Sequence, residues 1–230
     1  MPYPKLSTPP IIESIFLVRF KEILEKEQIE NFCKNEFISS RYRASESEDR
    51  KKEGTYILRS LENNKALRVN LDSLSLHNLT YSPFEEIYEE FKAMIEIVTS
   101  LTKSLTLEQF SLRYLNLIKL EKEEEKVNLF DYLTFKIETP FSISNFFIQF
   151  FVDNEKDNDM QGIIVGAIRH KNESIGDNDL GILLDINVRK NIDLSSVEED
   201  TYRNVLFMMR DFKNQLFFKS VQSKVLETYT

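Results

Sequence analysis

Apolar side chains recur at every second residue along several stretches of this 230-residue chain, and that period admits a half-buried strand but not one face of a helix. In Ile11 to Phe20, Ile12, Phe16, Val18 and Phe20 share one side with Ser14 among them. Glu13, Ile15, Leu17 and Arg19 take the other. Strands are likewise expected over Thr55 to Leu61, Leu107 to Leu120, Ile143 to Val152, Met160 to Lys171 and Leu180 to Ile192. Ala66 to about Leu79 reads as one long strand or two short ones. Asn63-Asn64 marks a turn, because Asn tolerates the left-handed region.

Helical spacing interrupts this pattern. A short amphipathic helix is expected over Gln28 to Phe37 and another over Leu129 to Phe135. A long one is expected from Pro83 to about Leu105, with Ser82 as cap and Glu85 closing a capping box. Ser196 and Glu199 offer a second capping box before a closing helix through Val205, Met208, Met209, Phe212, Leu216 and Phe217 that runs to about Val221. Arg41 to Gly54 reads as a polar loop with at most one short strand. The runs at 121–126, 153–159 and 172–179 read as solvated connections, and the residues from about Gln222 as a frayed end. Each half, 11–105 and 107–221, thus runs strand, short helix, several strands, long helix. The expected fold is α+β, one compact unit over 1–230: a curved antiparallel sheet with two long helices on one side. Two similar halves would make it saddle-like, resembling TATA-binding-protein-like domains in form without evidence of DNA binding.

Composition narrows the function. A content of 41% hydrophobic and 30% charged residues is that of a globular chain, and five glycines argue against nucleotide folds built on Gly-rich turns. A formal charge of -8 opposes general attraction to nucleic acid or to an anionic membrane. The single cysteine, Cys33, excludes an intrachain disulfide and fits a reducing compartment. It lies at helical spacing with Ile29, Phe32 and Phe37, as a packing residue does. The opening residues lack a secretory signal, and no apolar run approaches the roughly 20 residues that cross a bilayer, so a cytoplasmic location is expected.

Two histidines, His77 and His170, and one cysteine offer no metal-ligand spacing, and the acidic turns lack the Gly and Glu of a calcium loop. GxSxG and phosphate-binding glycine motifs are also missing. No catalytic residue, metal or cofactor is therefore expected. One pattern remains. Arg19, Arg59, Arg68, Arg113, Arg169 and Arg189 all fall within expected strands, on positions that alternate to the polar side, accompanied by Asn70, Asp72, Asn145, Gln149, Asp185 and Asn187. A guanidinium pairs bidentately with carboxylate or phosphate and tolerates partial burial. Either Glu13, Asp72 and Asp185 neutralise these arginines, or the face binds an anion or a partner. The candidate binding residues are Arg59, Arg68, Asp72, Arg113, Asp185, Asn187 and Arg189.

The segments PPIIESIFLVRF, SLRYLNLI at 111–118, LLDINV at 183–188 and NQLFFKSV in the closing helix resemble a bacterial protein family of about this length, sporadically distributed among genomes and with no assigned activity. The resemblance implies an accessory gene, as in mobile elements or defence islands. The leading expectation is a non-enzymatic binding or regulatory protein acting with a protein partner, with homodimerisation a further option. The alternative is an enzyme or sensor that binds a nucleotide or nucleic acid on the arginine-bearing face.

Overall fold

The computed structural model describes residues 3–44, 54–102, 104–120, 131–135, 147–169, 181–194 and 199–230. The chain is α+β, and among the described residues it is built on one open antiparallel sheet of nine strands. The first half contributes β1 (Ile11–Phe20), α1 (Lys26–Lys34), α2 (Glu36–Ser39), β2 (Tyr42–Ala44), β3 (Thr55–Ser60), β4 (Lys65–Asn70), β5 (Ser73–Asn78) and α3 (Phe84–Ser100). The second contributes β6 (Leu107–Lys119), β7 (Phe147–Asn154), β8 (Asp157–Arg169), β9 (Gly181–Leu194), α4 (Glu199–Ser220) and α5 (Ser223–Leu226). The spatial order is β2-β3-β4-β5-β1-β6-β9-β8-β7. The first strand of each half thus pairs with the last strand before that half's long helix, and β1 and β6 meet at the centre.

Alternation decides which side of the sheet is buried. Phe16, Val18 and Phe20 of β1, Leu74 and Leu76 of β5, Phe110, Leu112 and Ile118 of β6, and Ile182, Leu184, Ile186 and Val188 of β9 are all at most 3% exposed. Paired residues on neighbouring strands point the same way, so one continuous apolar layer results. Phe16 takes Phe84 and Phe91 of α3 at ring distances of 5.4 and 5.7 Å. Phe207 of α4 stands edge-on to Phe84 and Tyr88 of α3. Lys213 of α4 places its Nζ 4.1 Å from the centroid of Tyr114 of β6.

Several boundaries differ from the expected ones. The helix expected over Gln28 to Phe37 is two helices, because the Asn35 side chain accepts from the Phe37 amide at 2.9 Å and starts α2 afresh. Ser82 does not cap α3. Pro83 holds the N-cap position with no side-chain bond, and Glu85 turns to Arg210 at 2.9 Å instead. The helix ends at Ser100 rather than near Leu105. Thr99 and Ser100 donate their hydroxyls to carbonyls three and four residues back, which favours termination. The stretch from Ala66 to Leu79 is two strands. In the expected helix Leu129 to Phe135, the described residues place Leu133 in an isolated bridge with Val221. The Ser196–Glu199 capping box, the turn at 172–179 and the connection at 121–126 lie outside the described residues.

The end of the chain does not fray. Val225 and Leu226 are buried, and the Tyr229 carbonyl accepts from the Ser7 amide at 2.7 Å. Tyr3 stacks on Phe218 at 4.8 Å. The leader of residues 3–10 therefore lies along the last helical turns, and the Pro10 carbonyl accepts from the Leu117 amide.

Candidate functional site

The other side of the sheet carries the arginines. Register places four of them in two rows running across the strands, each step about 4.8 Å. One row reads Arg68, Ser75, Leu17, Ser111, Arg189, Gln161 from β4 to β8. The next reads Arg59, Ala66, His77, Ile15, Arg113, Asn187, Ile163, Phe151 from β3 to β7.

A polar network joins these rows to each other and to the next one, which holds Glu13, Leu115 and Asp185. The Arg113 Nε and Nη2 donate to the two Asp185 carboxylate oxygens at 2.9 and 2.6 Å. Asp185 is 13% exposed and Arg113 44%. The bond to Asp185, the strongest influence on this guanidinium, raises its proton affinity. Ser111 Oγ donates to Asn187 Oδ1 at 2.7 Å. On the β5 side, His77 Nδ1 lies 2.9 Å from Glu13 Oε1 and its Nε2 lies 3.2 Å from Ser75 Oγ. Burial, the largest effect, holds the His77 imidazole below its usual range; Arg68 and Arg113 push the same way, and Glu13 pulls against them. A neutral imidazole facing a carboxylate must carry its proton on Nδ1. Nε2 then accepts from the Ser75 hydroxyl. Serine, imidazole and carboxylate are thus linked in the order used to activate a hydroxyl nucleophile.

The structure brings together Arg113, Asp185 and Asn187, with Arg68 close enough to act on His77. It does not bring in Asp72, which sits in the turn between β4 and β5 and accepts from Ser73 Oγ at 3.0 Å. Arg59, Arg68 and Arg189 are exposed in the rows described, without an ion pair among the described residues, and so is Arg19 in the row of Ser73 and Gln109. Arg169 lies in β8, its side chain outside the description. Asn116, also on β6, points to the buried side, where its amide donates to the Tyr114 and Leu184 carbonyls at 3.2 and 3.0 Å. At the far end of the open side, the edge strand β7 exposes Phe147 by 69% and Phe151 by 63%.

In the sequence, His77 suggests a metal ligand and lacks the spacing for one. Its spacing of two from Ser75 put both on one face of a strand, but the third member, Glu13, arrives only through the β1–β5 pairing. No group of metal-ligating residues occurs among the described residues, and no helix among them is long and apolar enough to cross a membrane. Cys33 is partly buried against the core, and burial followed by Glu30 pushes its thiol up to about 11. Neither a protein-family model nor a curated protein matches this chain.

Proposed function

We propose that this chain is a non-enzymatic binding protein that docks a protein partner on the open side of its sheet, through a partner segment carrying acidic and apolar side chains. One observation carries the reading: Arg59, Arg68 and Arg189 are exposed there with no carboxylate paired to them among the described residues, and the same side ends in Phe147 and Phe151. Unpaired guanidiniums and exposed aromatic rings on one side of a sheet are the composition of an interface rather than of a solvated face. In this reading the two halves curve into a saddle, with α3 and α4 behind it; the single cysteine, which fits a reducing compartment, supports a cytoplasmic location, and the resemblance to the sporadic bacterial family supports an accessory role. A second copy of the chain is the simplest rival for the partner.

The test begins with the protein purified from its host and the identification of what co-purifies. Arg68→Glu with Arg189→Glu should abolish that association with unchanged thermal stability, and Phe147→Ser with Phe151→Ser should weaken it about tenfold or more. Arg113→Ala should instead cost about 1–2 kcal/mol of stability, because Asp185 loses its partner, and leave binding nearly intact. Retention of the partner by both double variants would sink the reading.

A second reading, an enzyme or sensor acting on a nucleotide or nucleic acid at the same face, is favoured by the Ser75–His77–Glu13 chain of hydrogen bonds. A fluorophosphonate probe decides it: labelling of Ser75 that is lost in His77→Gln would support catalysis, and no labelling would dismiss it.

A further inference from the structure

On the helical side of the molecule, a cleft of about 1170 Å³ opens between the leader, the start of α3, the β7–β8 hairpin and α4. Its floor includes Tyr114 and Lys213. The lysine stands four residues after Met209 and four before Phe217, both buried, so the helix directs it toward the sheet where an apolar side chain would pack. Its Nζ rests on the Tyr114 ring, which is 4% exposed. The carboxylates nearby are committed elsewhere: Asp211 and Glu85 to Arg210 at 3.0 and 2.9 Å, and Asp157 to Lys190 at 2.5 Å. Among the described residues, Nζ has no hydrogen-bond or ion-pair partner.

We propose that Lys213 is the nucleophilic amine of a second site, and that it condenses reversibly with a small aldehyde or ketone held in this cleft. The lone pair of the neutral amine attacks the carbonyl carbon, forming the N–C bond. The carbinolamine then loses its oxygen as water, which carries away the two protons the nitrogen gave up, and leaves an imine. No oxidant or reductant enters. Two features support this over a simple anion anchor. Burial, with Arg210 adding to it and Asp211 opposing, brings the amine down to about 7, so a large fraction is unprotonated near neutrality. The other charged groups around the cleft nearly cancel: Lys5 of the leader, Glu85 of α3, Asp153, Glu155, Lys156 and Asp157 of the hairpin, and Arg210, Asp211 and Lys219 of α4, four cations against five carboxylates. Such surroundings do not collect an anion, and they leave the aromatic floor to hold a neutral carbonyl compound.

The experiment uses the intact wild-type chain with limiting benzaldehyde and cyanoborohydride, followed by peptide mapping across pH 6–9. Lys213 should be modified about tenfold or more faster at pH 7 than the exposed Lys26 and Lys224, with its rate rising through a midpoint near 7. Lys213→Met should lose that label while the remaining lysines keep theirs. Modification of Lys213 no faster than of Lys26 would overturn the proposal, whether or not the variant folds. Protection of Lys213 by inorganic phosphate, without enhanced reactivity, would overturn it in favour of an anion anchor.

Discussion

Two residues with lowered proton affinity report on opposite sides of the sheet. The His77 imidazole binds a proton less well in the folded chain than its ordinary value of 6.5. The unfolded chain therefore takes up more protons as pH falls through 6.5, and folding stability falls with it. Urea unfolding from pH 7 to pH 5 should show this loss, and His77→Gln should flatten it. For Lys213, folded at about 7 against 10.5 unfolded, the same rule makes the wild type gain stability as pH rises between these two values. Lys213→Met, which packs an apolar chain in the same volume, should raise the melting temperature most at pH 7 and below, with the difference closing toward pH 10. A variant no more stable at any pH would mean that the lysine is well solvated. Arginines on the open side were readable from alternation alone. Lys213 was not, since a lysine on an amphipathic helix normally belongs to the solvated face, and only the packing of α4 on β6 turned it inward.

Among the elements, the strands could be located to within a few residues, because burial of one face forces the two-residue period. Helix ends were less legible. Ser82 and Glu85 have the spacing of a capping box, yet the fold gives Glu85 a stronger partner in Arg210, which also lies over the Phe84 ring at 5.2 Å. The box forms instead on α1, where Gln28 Oε1 accepts from the Glu25 amide at 2.8 Å. Ser82→Ala should therefore be nearly silent in thermal unfolding, whereas Gln28→Ala should cost about 0.5–1 kcal/mol. A large loss from Ser82→Ala would contradict the cap geometry. Gly181 shows the sheet's own tolerance. A Cβ there would stand 2.8 Å from the Ile118 carbonyl oxygen and 2.6 Å from Leu117 Cδ1. Gly181→Val should destabilise by about 1–3 kcal/mol, measured by the same unfolding.

At the scale of the molecule, this sequence by itself determined that the chain is α+β, where its strands run, and that arginine occupies their polar positions. These are local properties: each follows from a side-chain period of two or of three to four within a single segment. Tertiary structure alone decided the strand order that sets β1 against β6, and with it which polar residues meet. Glu13 and His77 are 64 positions apart and Arg113 and Asp185 are 72 apart, and each pair is joined by register across neighbouring strands. Strand pairing depends on backbone hydrogen bonds and a shared apolar layer, which many orders of the same strands satisfy locally. The contacts that select one order are long-range, and so are those that tie the leader to the last turn and bring the walls of the cleft around Lys213.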